Sequence, residues 1–471
     1  MSIGDATRAR LGINESNRRW WILAAAGGSL AIFLLDEILV GVALPTIRDD
    51  LGTSQLVAQW AVNAFVLAFT AVVAATGRLG DLLGHRLVLI SGAALLVGGA
   101  IAAGTAQSGE WLIAGRAVMG LGTAGLFSMG IAMVGIAFAQ NERGFAIGIY
   151  SLIGASAAAI APILGGVITD LATWRLIFFL NVPLAVAVVA IMTTAWHAPV
   201  AATQAARFDR RGFLLLLLFL IPLVLALMQS PVWGFSSPAF VALIVVSALA
   251  LVGFVWVERR VTAPLVDFNL FRSPTSVGSN VVIFCAQFAK MAVLVFGALY
   301  LQDRLNMSPL EAGGALVAAT APGWIASIVA GRMTDRIGTR APTLLGVGAM
   351  AISLIVLTLL LPDERYVVLI PGFLLFGLAL PFFFVPPRTA IFNLVPEHSR
   401  GEASGVMTTT QMLGGALAIA VLGSALLESE SYVVVFGITT GVTLAAWATA
   451  FLLVERRPTP QSKPSDQPIR R

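Results

Sequence analysis

Two polar stretches of this otherwise apolar sequence carry the same residues at the same offsets. Residues 77–86 read GRLGDLLGHR, and residues 331–340 read GRMTDRIGTR. The shared positions are Gly77, Arg78, Asp81, Gly84 and Arg86 in the first stretch and Gly331, Arg332, Asp335, Gly338 and Arg340 in the second. Five matches at fixed spacing indicate an internal duplication.

An aspartate with arginines nearby can form a polar contact across an interface between helices, and such a contact can form and break as the interface closes and opens. A carboxylate near a helix N-terminus is stabilised by the helix dipole and by an arginine across an interface. We therefore expect Asp81 to anchor a gate. We expect Asp335 to contribute less, because a duplicated loop need not keep equal duties.

Four more charged side chains interrupt the apolar runs: Asp36, Glu37, Arg116 and Lys290. Each costs roughly 2.5–3.5 kcal/mol at the centre of a membrane helix, so each needs a partner, water or a role. At about 1.5 Å rise per residue, the Asp36 and Arg116 side chains can meet. They form either a permanent ion pair between two helices or a proton-exchanging carboxylate whose charged form the arginine stabilises.

Glu37 follows Asp36 directly and is turned about 100° from it on a helix. The two carboxylates therefore face different surroundings, and one of them is expected to face a cavity. An acidic side chain in an apolar cavity can bind and release protons near neutral pH. The sequence leaves open whether Asp36 or Glu37 does so.

The composition places these residues in a membrane protein. Of 471 residues, 58% are hydrophobic and 11% are charged, where a soluble chain carries about 25% charged residues. A membrane-spanning helix needs about 20 mostly apolar residues. The sequence contains fourteen such runs: 21–45, 57–76, 87–106, 112–137, 144–169, 176–196, 212–229, 238–257, 279–301, 312–330, 342–361, 367–387, 403–425 and 432–454. We read the first run as a retained helix and not as a signal peptide.

The positive charges give the expected orientation. With the N-terminus in the cytoplasm, the Lys and Arg residues that fall in external segments are Arg48, Arg175, Arg304 and Arg365, out of 29 in the chain. Such an excess of positive charge marks the cytoplasmic side. Both termini and both repeated stretches are then cytoplasmic.

Long polar connections divide the runs into six, two and six, so that the chain reads as two repeats with two inserted helices. The expected parts are a cytoplasmic N-terminus (1–20), a six-helix bundle (21–196), connections with the two inserted helices (197–278), a second six-helix bundle (279–454) and a disordered cytoplasmic tail (455–471). Duplicated halves favour a transporter over a channel or scaffold, because alternating access commonly rocks one repeat against the other.

Other chemistries are poorly supported. Cys285 and the three histidines are scattered, so we expect no disulfide, zinc site or other metal site. The GLGTAG match at 120–125 lies in an apolar run without a preceding strand, so close helix packing explains it better than dinucleotide binding. No Gly-Lys-Ser/Thr phosphate loop is present. We expect no catalytic residues, no enzyme activity and no cofactor.

Several stretches resemble the major facilitator superfamily and its fourteen-helix drug:proton antiporter branch. Besides the repeated stretches, these are LLDEILVGVALP (34–45), LIAGRAVMGLG (112–122), ASAAAIAPILGG (155–166), WRLIFFLNVP (174–183) and LYLQDRLNMSPLEAG (299–313). Ile38, Gly41, Met119, Ala157 and Ala161 depart from the branch pattern. The resemblance implies an all-α fold of two six-helix bundles plus two inserted helices.

The resemblance also assigns roles to residues. It favours proton coupling at Asp36 or Glu37 with Arg116, since Asp36 occupies the position of the branch's acidic residue. It places the ninth helix opposite the first, so Lys290, with Gln287 one turn before it, either forms an outer gate with one carboxylate or extends toward cavity water. The helix 5 motif implies a seal against proton leak, with ordinary packing as the alternative. Its residues are Ala161, Pro162, Gly165 and Gly166.

The expected function is proton-coupled efflux of lipophilic or amphipathic drugs across a bacterial cytoplasmic membrane by alternating access, with the proton as the coupling ion. The expected partners are small-molecule substrates, protons and membrane lipids, without nucleic acid, and the expected state is a monomer. The alternatives are export of one endogenous metabolite or lipid and, from another class, a non-transporting membrane sensor or scaffold.

Overall fold

Fourteen helices long and apolar enough to cross a membrane make up the described part of the chain, and they confirm the prediction of an all-α polytopic protein. The computed structural model describes residues 13–196, 209–261, 266, 268–307, 309–396 and 399–454. The first six helices are α1 Arg18–Asp50, α2 Gln55–Leu83, α3 His85–Gly104, α4 Gly109–Ala137, α5 Arg143–Leu171 and α6 Arg175–Ala195. The two inserted helices are α7 Arg210–Trp233 and α8 Pro238–Glu258.

The remaining helices follow a short 3₁₀ turn at Phe268–Phe271. They are α9 Pro274–Asp303, α10 Glu311–Ile337, α11 Arg340–Leu360, α12 Tyr366–Leu394, α13 Arg400–Ser429 and α14 Tyr432–Leu453. A π-helical turn at Ala292–Phe296 interrupts α9 directly after its lysine, and such turns often occur at functional sites. The tail expected at 455–471 and most of the connection expected at 197–211 lie outside the described residues.

Two helix boundaries correct the sequence analysis. The repeated stretches are mostly helical: α2 continues to Leu83 and α10 to Ile337, and each helix stops at the next glycine. Gly84 and Gly338 have φ of +93° and +86°, a conformation that glycine adopts readily and other residues rarely adopt. Glycine is therefore required where each helix ends and the chain turns into the next one.

The second correction concerns α12. The predicted apolar run ends at residue 387. In the structure Pro386 and Pro387 lie inside the helix, which continues to Leu394. Arg388, taken for a residue of a cytoplasmic segment, is therefore a buried residue of a membrane helix.

Helices α1–α6 form one bundle and α9–α14 form a second, each around its own apolar core. Stacked and edge-on phenyl rings fill the centre of the first bundle: Phe33 lies 4.7 Å from Phe69 and Phe69 lies 5.6 Å from Phe127, measured between ring centroids. Each such pair adds about 0.5–1.5 kcal/mol beyond burial. These ring contacts hold α1, α2 and α4 together in the centre of the first bundle.

The inserted hairpin α7–α8 packs along one seam between the bundles. Leu216 and Leu220 of α7 pack against Ala74 of α2 and Val406 of α13. Within the hairpin, Ser247 of α8 donates a hydrogen bond to the Phe219 carbonyl at 2.9 Å. The inserted helices thus cover the α2–α13 seam on the outside.

Because the helices alternate in direction, their ends form two faces. We call the face that holds the start of α1, the turns at Gly84 and Gly338 and the end of α14 the terminal face. We call the other one the opposite face. The candidate site is described relative to these two faces.

Candidate functional site

Asp36 and Arg116 form an ion pair inside the first bundle. The Arg116 Nη1 atom lies 2.5 Å from Asp36 Oδ2, and the two residues are 0% and 1% exposed. Arg116 Nε donates to the Ala61 carbonyl at 2.9 Å, and its guanidinium lies 4.3 Å from the centre of the Phe65 ring. Asn181 of α6 donates to the second Asp36 oxygen at 3.2 Å. The pair ties α1, α2, α4 and α6 together and is closed off from the space between the bundles.

Glu37, one residue further along α1, has different surroundings. It is half-buried and lies within electrostatic range of Lys290 on α9 of the second bundle. Gly41, one turn beyond Glu37, is exposed, and a Cβ atom there would meet nothing within 4 Å. Glu37 and Gly41 therefore share a face of α1 that looks into the gap between the bundles. The geometry favours Glu37 over Asp36 as the carboxylate that faces this gap.

A row of polar side chains leads from Lys290 toward the terminal face. Gln287, one turn before Lys290 on α9, accepts a hydrogen bond at 3.1 Å from the Gln411 amide of α13. The Gln411 carbonyl oxygen in turn accepts a hydrogen bond from Arg388 of α12. The sequence analysis missed Arg388 because it ended α12 at the Pro-Pro pair, although an arginine directly after an apolar run was a visible signal.

Asp81 caps a helix of the opposite bundle at the terminal face. Its two oxygens accept hydrogen bonds from the backbone N–H groups of Gly401 and Glu402, at 3.1 and 2.7 Å, in the first turn of α13. Arg78, one turn earlier, lies 3.5 Å from the Glu402 carboxylate. His85 lies 3.3 Å from Asp81. A carboxylate at a helix N-terminus satisfies free N–H groups and interacts favourably with the helix dipole.

Asp335 makes the same contact in the other half. Its oxygens accept hydrogen bonds from the N–H groups of Gly144 and Phe145, at 2.8 and 2.7 Å, in the first turn of α5. The Arg332 guanidinium lies over the Phe145 ring, 5.2 Å from its centre. The equivalent arginine of the first half, Arg78, instead lies beside the Glu402 carboxylate. The backbone contacts of Asp335 therefore match those of Asp81. The two halves differ only in the side chains beside the aspartates, so a smaller contribution of Asp335 to the gate would have to come from those side chains.

The capped helices begin with a second repeat that the sequence analysis missed. Residues 143–148 read RGFAIG and residues 400–405 read RGEASG. A Cβ atom at Gly77 would lie 2.2 Å from the Gly401 carbonyl oxygen, and one at Gly331 would lie 2.5 Å from the Gly144 carbonyl oxygen. Each repeated stretch thus provides a glycine for close helix crossing and an aspartate for capping. The helix that each aspartate caps, α5 or α13, begins with the matching Arg-Gly pair.

Further contacts close the terminal face. Arg143 donates to the Phe392 carbonyl at 3.2 Å and to Asn393 at 2.5 Å, which joins α5 to the end of α12. Ser404 donates to the Ser128 carbonyl at 3.1 Å, which joins α13 to α4. The hydrogen bonds and the ion pair between the bundles named above all lie toward this face. The structure is therefore closed at the terminal face.

The structure also locates the remaining residues that the sequence singled out. Arg86 is exposed, and Arg340 donates to the Phe451 carbonyl at 2.8 Å. Of the helix 5 motif, Ala161 and Gly165 are buried in α5. The surroundings of Pro162 and Gly166 are not among those described. Within the described ranges, no three His, Cys, Asp or Glu side chains come together as a metal site would require.

On the opposite face, an ion pair links two helices of the same bundle. Asp50 at the end of α1 accepts hydrogen bonds from Arg175 at 2.8 Å and from Trp174 at 3.0 Å. The hydrogen bond from Arg175 has the larger effect and the one from Trp174 the smaller, and together they hold the pKa of the Asp50 carboxyl below its ordinary value. This contact stabilises the first bundle and leaves the gap between the bundles unbridged.

Comparison with known proteins agrees with this architecture. A sequence model of the Major Facilitator Superfamily matches residues 26–419 and, in a second match, 279–470. The chain is 31% identical over 405 residues to the multidrug resistance protein Stp of Mycobacterium tuberculosis, covering 86% of this chain and 75% of that protein. It is 32% identical over 418 residues to the puromycin resistance protein pur8 of Streptomyces alboniger, covering 86% and 82%.

Two solved structures share the fold. The human organic anion transporter MFSD10 superposes with a TM-score of 0.67 at 16% identity, covering 93% of this chain and 100% of that one. The proton:xylose symporter XylE superposes with a TM-score of 0.68 at 14% identity, covering 94% and 97%. At these identities the likeness concerns the fold alone.

Proposed function

The chain belongs to the major facilitator superfamily, and we propose that it exports lipophilic or amphipathic compounds by proton-coupled alternating access. The names of its relatives support the substrate class, since Stp and pur8 are multidrug and puromycin resistance proteins. The excess of positive charge at the terminal face supports a cytoplasmic location for that face. We place the protein in a bacterial cytoplasmic membrane as a monomer that needs no cofactor besides the coupling proton.

The observation that carries the proposal is the paired aspartate caps. Asp81 and Asp335 each join one bundle to the first turn of a helix in the other. Breaking four backbone hydrogen bonds releases both contacts together, and the bundles then separate at the terminal face. The same motion closes the gap at the opposite face. A gate of this construction has two discrete states, as alternating access requires.

Glu37 is the proposed proton carrier. In the state closed at the terminal face, it lies across the gap from Lys290. A charged Glu37 attracts the lysine of the other bundle, whereas a protonated Glu37 does not, so proton binding changes the relative energies of the two states. Asp36 and Arg116 hold α1 against α4 and fix the position of Glu37. A coupling ion can shift a two-state equilibrium only through such a difference in interaction.

The test is transport by the purified full-length protein in proteoliposomes. An imposed pH gradient is expected to drive accumulation of ethidium or puromycin, and a protonophore is expected to abolish it. Flux of both compounds supports a drug exporter. Transport of one endogenous metabolite with no drug flux would replace the proposal by a dedicated exporter, and the absence of any flux would indicate a sensor or scaffold.

A further inference from the structure

Arg388 is a buried cation just inside the closed terminal gate. It is 7% exposed and lies six residues before the end of α12, at about 9 Å along the helix from Leu394. Phe392, one turn nearer the terminal face, is part of the gate contact with Arg143. When the gate opens, Arg388 is among the first interior side chains to meet the solvent.

The neighbours of Arg388 do not neutralise it. Its guanidinium donates to the neutral Gln411 amide and lies 5.2 Å from the centre of the Phe384 ring. In the part of the chain that the structure describes, no carboxylate lies within ion-pair distance of Arg388. Lys290 interacts electrostatically with Arg388 and is also positive.

Tyr150 completes the site from the other bundle. It lies on α5, is 0% exposed, and is within electrostatic range of Arg388. Its hydroxyl has no hydrogen-bond partner among the described residues. A buried hydroxyl without a partner costs free energy unless something binds to it. The cluster Arg388, Tyr150, Gln411 and Gln287 therefore offers three kinds of donor with few acceptors.

The charge balance of the gap is positive. Asp36 and Arg116 neutralise each other within the first bundle. Of the other charged groups that face the gap, Lys290 and Arg388 are positive and Glu37 is negative. Lys290 interacts with Glu37, so Arg388 is left without a counterion. A buried charge is ordinarily paired, and an anionic ligand would supply the missing partner.

We propose that Arg388, with Gln411 and Tyr150, binds the carboxylate or other anionic group of the exported compound when the terminal gate is open. This inference rests on the proposed export function and assigns, within its substrate class, a preference for amphipathic compounds that carry an anionic group. The planar guanidinium suits a carboxylate because it can donate two parallel hydrogen bonds. The apolar part of the compound packs against the phenylalanines of α12 beside Arg388.

The inference is tested with one dye in two charge forms. Rhodamine B carries a free carboxylate, and its ethyl ester does not. Equilibrium binding to the detergent-purified full-length protein is measured by fluorescence polarisation. The unsubstituted protein is expected to bind rhodamine B about tenfold to a hundredfold more tightly than the ester, the range that a hydrogen bond to a charged group provides. Arg388→Gln is expected to remove that preference by weakening rhodamine B binding.

Further variants keep the test decisive if Arg388→Gln does not fold. Arg388→Lys keeps the charge but loses the two parallel donors, so it is expected to give an intermediate preference. Tyr150→Phe removes the hydroxyl alone and is expected to weaken rhodamine B binding several-fold. A preference for rhodamine B that stays unchanged in all these variants would overturn the inference, and so would equal binding of both dyes by the unsubstituted protein.

A chloride titration separates an organic substrate from a resident inorganic ion. If chloride raises the melting temperature of the unsubstituted protein but not that of Arg388→Gln, while neither dye form is preferred, Arg388 holds an inorganic counterion and the substrate assignment is wrong. Proton-driven transport of the cationic ester reports on the export function separately. Failure of the anion site and failure of the proposed function are thereby distinguished.

Discussion

At the scale of single residues, two adjacent carboxylates on α1 have different surroundings. Asp36 is 1% exposed and bound to Arg116 and Asn181, whereas the half-buried Glu37 faces Lys290 in the other bundle. The 100° turn between neighbouring helical residues predicted that they would differ. It could not decide which one faces the gap, because the rotation of α1 is set by its packing on α4, α5 and α6.

The Asp36–Arg116 pair is predicted to be structural. Asp36→Asn leaves the Arg116 guanidinium buried without a counterion, and removing one partner of a buried pair typically costs roughly 3–5 kcal/mol. We expect a clearly lower melting temperature by tryptophan fluorescence in detergent. The double variant Asp36→Asn, Arg116→Gln should recover part of the loss. Asp49→Asn, at the exposed end of α1, is the control and should melt as the parent does.

Arg388 shows why residue-scale prediction was incomplete. The four charged residues inside apolar runs were recognised because apolar residues flank them on both sides. Arg388 follows the last residue of the predicted run 367–387, so it fell in a cytoplasmic segment of the predicted topology. Packing of α12 between other helices keeps the helix going past Pro386 and Pro387, and that tertiary effect is not visible in the sequence.

At the scale of helices, the repeated stretches form two equivalent joints between the bundles. The duplication, the capping role of Asp81 and the need for glycine could be predicted from spacing and helix electrostatics. The receiving partners could not, because contacts between α2 and α13 and between α10 and α5 join residues far apart in the chain. The matching repeat RGFAIG and RGEASG was the signal that could have revealed them.

Breaking one aspartate cap is predicted to open the terminal face. In a Cys285→Ala background, Ser404→Cys places a thiol at a buried gate position that contacts Ser128. Asp81→Asn weakens two hydrogen bonds to a charged acceptor, so we expect thiol labelling by a maleimide to rise about tenfold or more. Because their backbone contacts match, Asp335→Asn should have a similar effect. Labelling that stays at the parent rate in both variants would show that the caps do not hold the gate.

A glycine substitution tests the same joint through its shape. Gly77→Ala brings a Cβ atom to 2.2 Å from the Gly401 carbonyl oxygen, so the two helices must move apart. We expect increased maleimide labelling of Ser404→Cys, as for the aspartate variants. Gly98→Ala on α3 is the matched control, because a Cβ atom there meets nothing within 4 Å. Equal labelling in both glycine variants would contradict the role assigned to close helix crossing.

The inserted hairpin was recognised from sequence only as two extra helices. The structure places α7 against α2 and α13, through Leu216, Leu220 and Val406. A position on the outside of one seam could not be derived from hydropathy, because lipid-facing and seam-facing apolar residues look alike in a sequence. Through α7 the hairpin packs on the outside of the α2–α13 seam.

At the scale of the whole molecule, the two-bundle fold could be predicted from fourteen apolar runs, their charge asymmetry and the internal repeat. The fold places the carboxylate that faces the gap, the lysine and Arg388 at successive depths between two bodies that can move. Under the proposed function, the driving force depends on the charge carried across the membrane in each cycle.

That charge gives a prediction for driving force. One elementary charge crossing 100 mV contributes about 2.3 kcal/mol. Exchange of one proton for a neutral compound moves one charge inward and supports roughly a fifty-fold gradient per 100 mV. Rhodamine B is a net-neutral zwitterion, so its exchange for one proton moves one charge, whereas exchange of the cationic ester for one proton moves none. A potassium diffusion potential should therefore drive rhodamine B out more strongly than its ester. An equal response of the two dyes to the potential, in proteoliposomes at equal pH on both sides, would contradict this account.

The most direct test of proton coupling compares uphill and downhill transport in one variant. Glu37→Gln keeps the size of the side chain but cannot bind a proton, and Glu37→Asp keeps the carboxylate as a control. In proteoliposomes with an imposed pH gradient, we predict that Glu37→Gln loses uphill drug accumulation while downhill drug exchange continues, and that Glu37→Asp retains both. Uphill accumulation by Glu37→Gln at the parent level would contradict the assignment of Glu37 as the proton carrier.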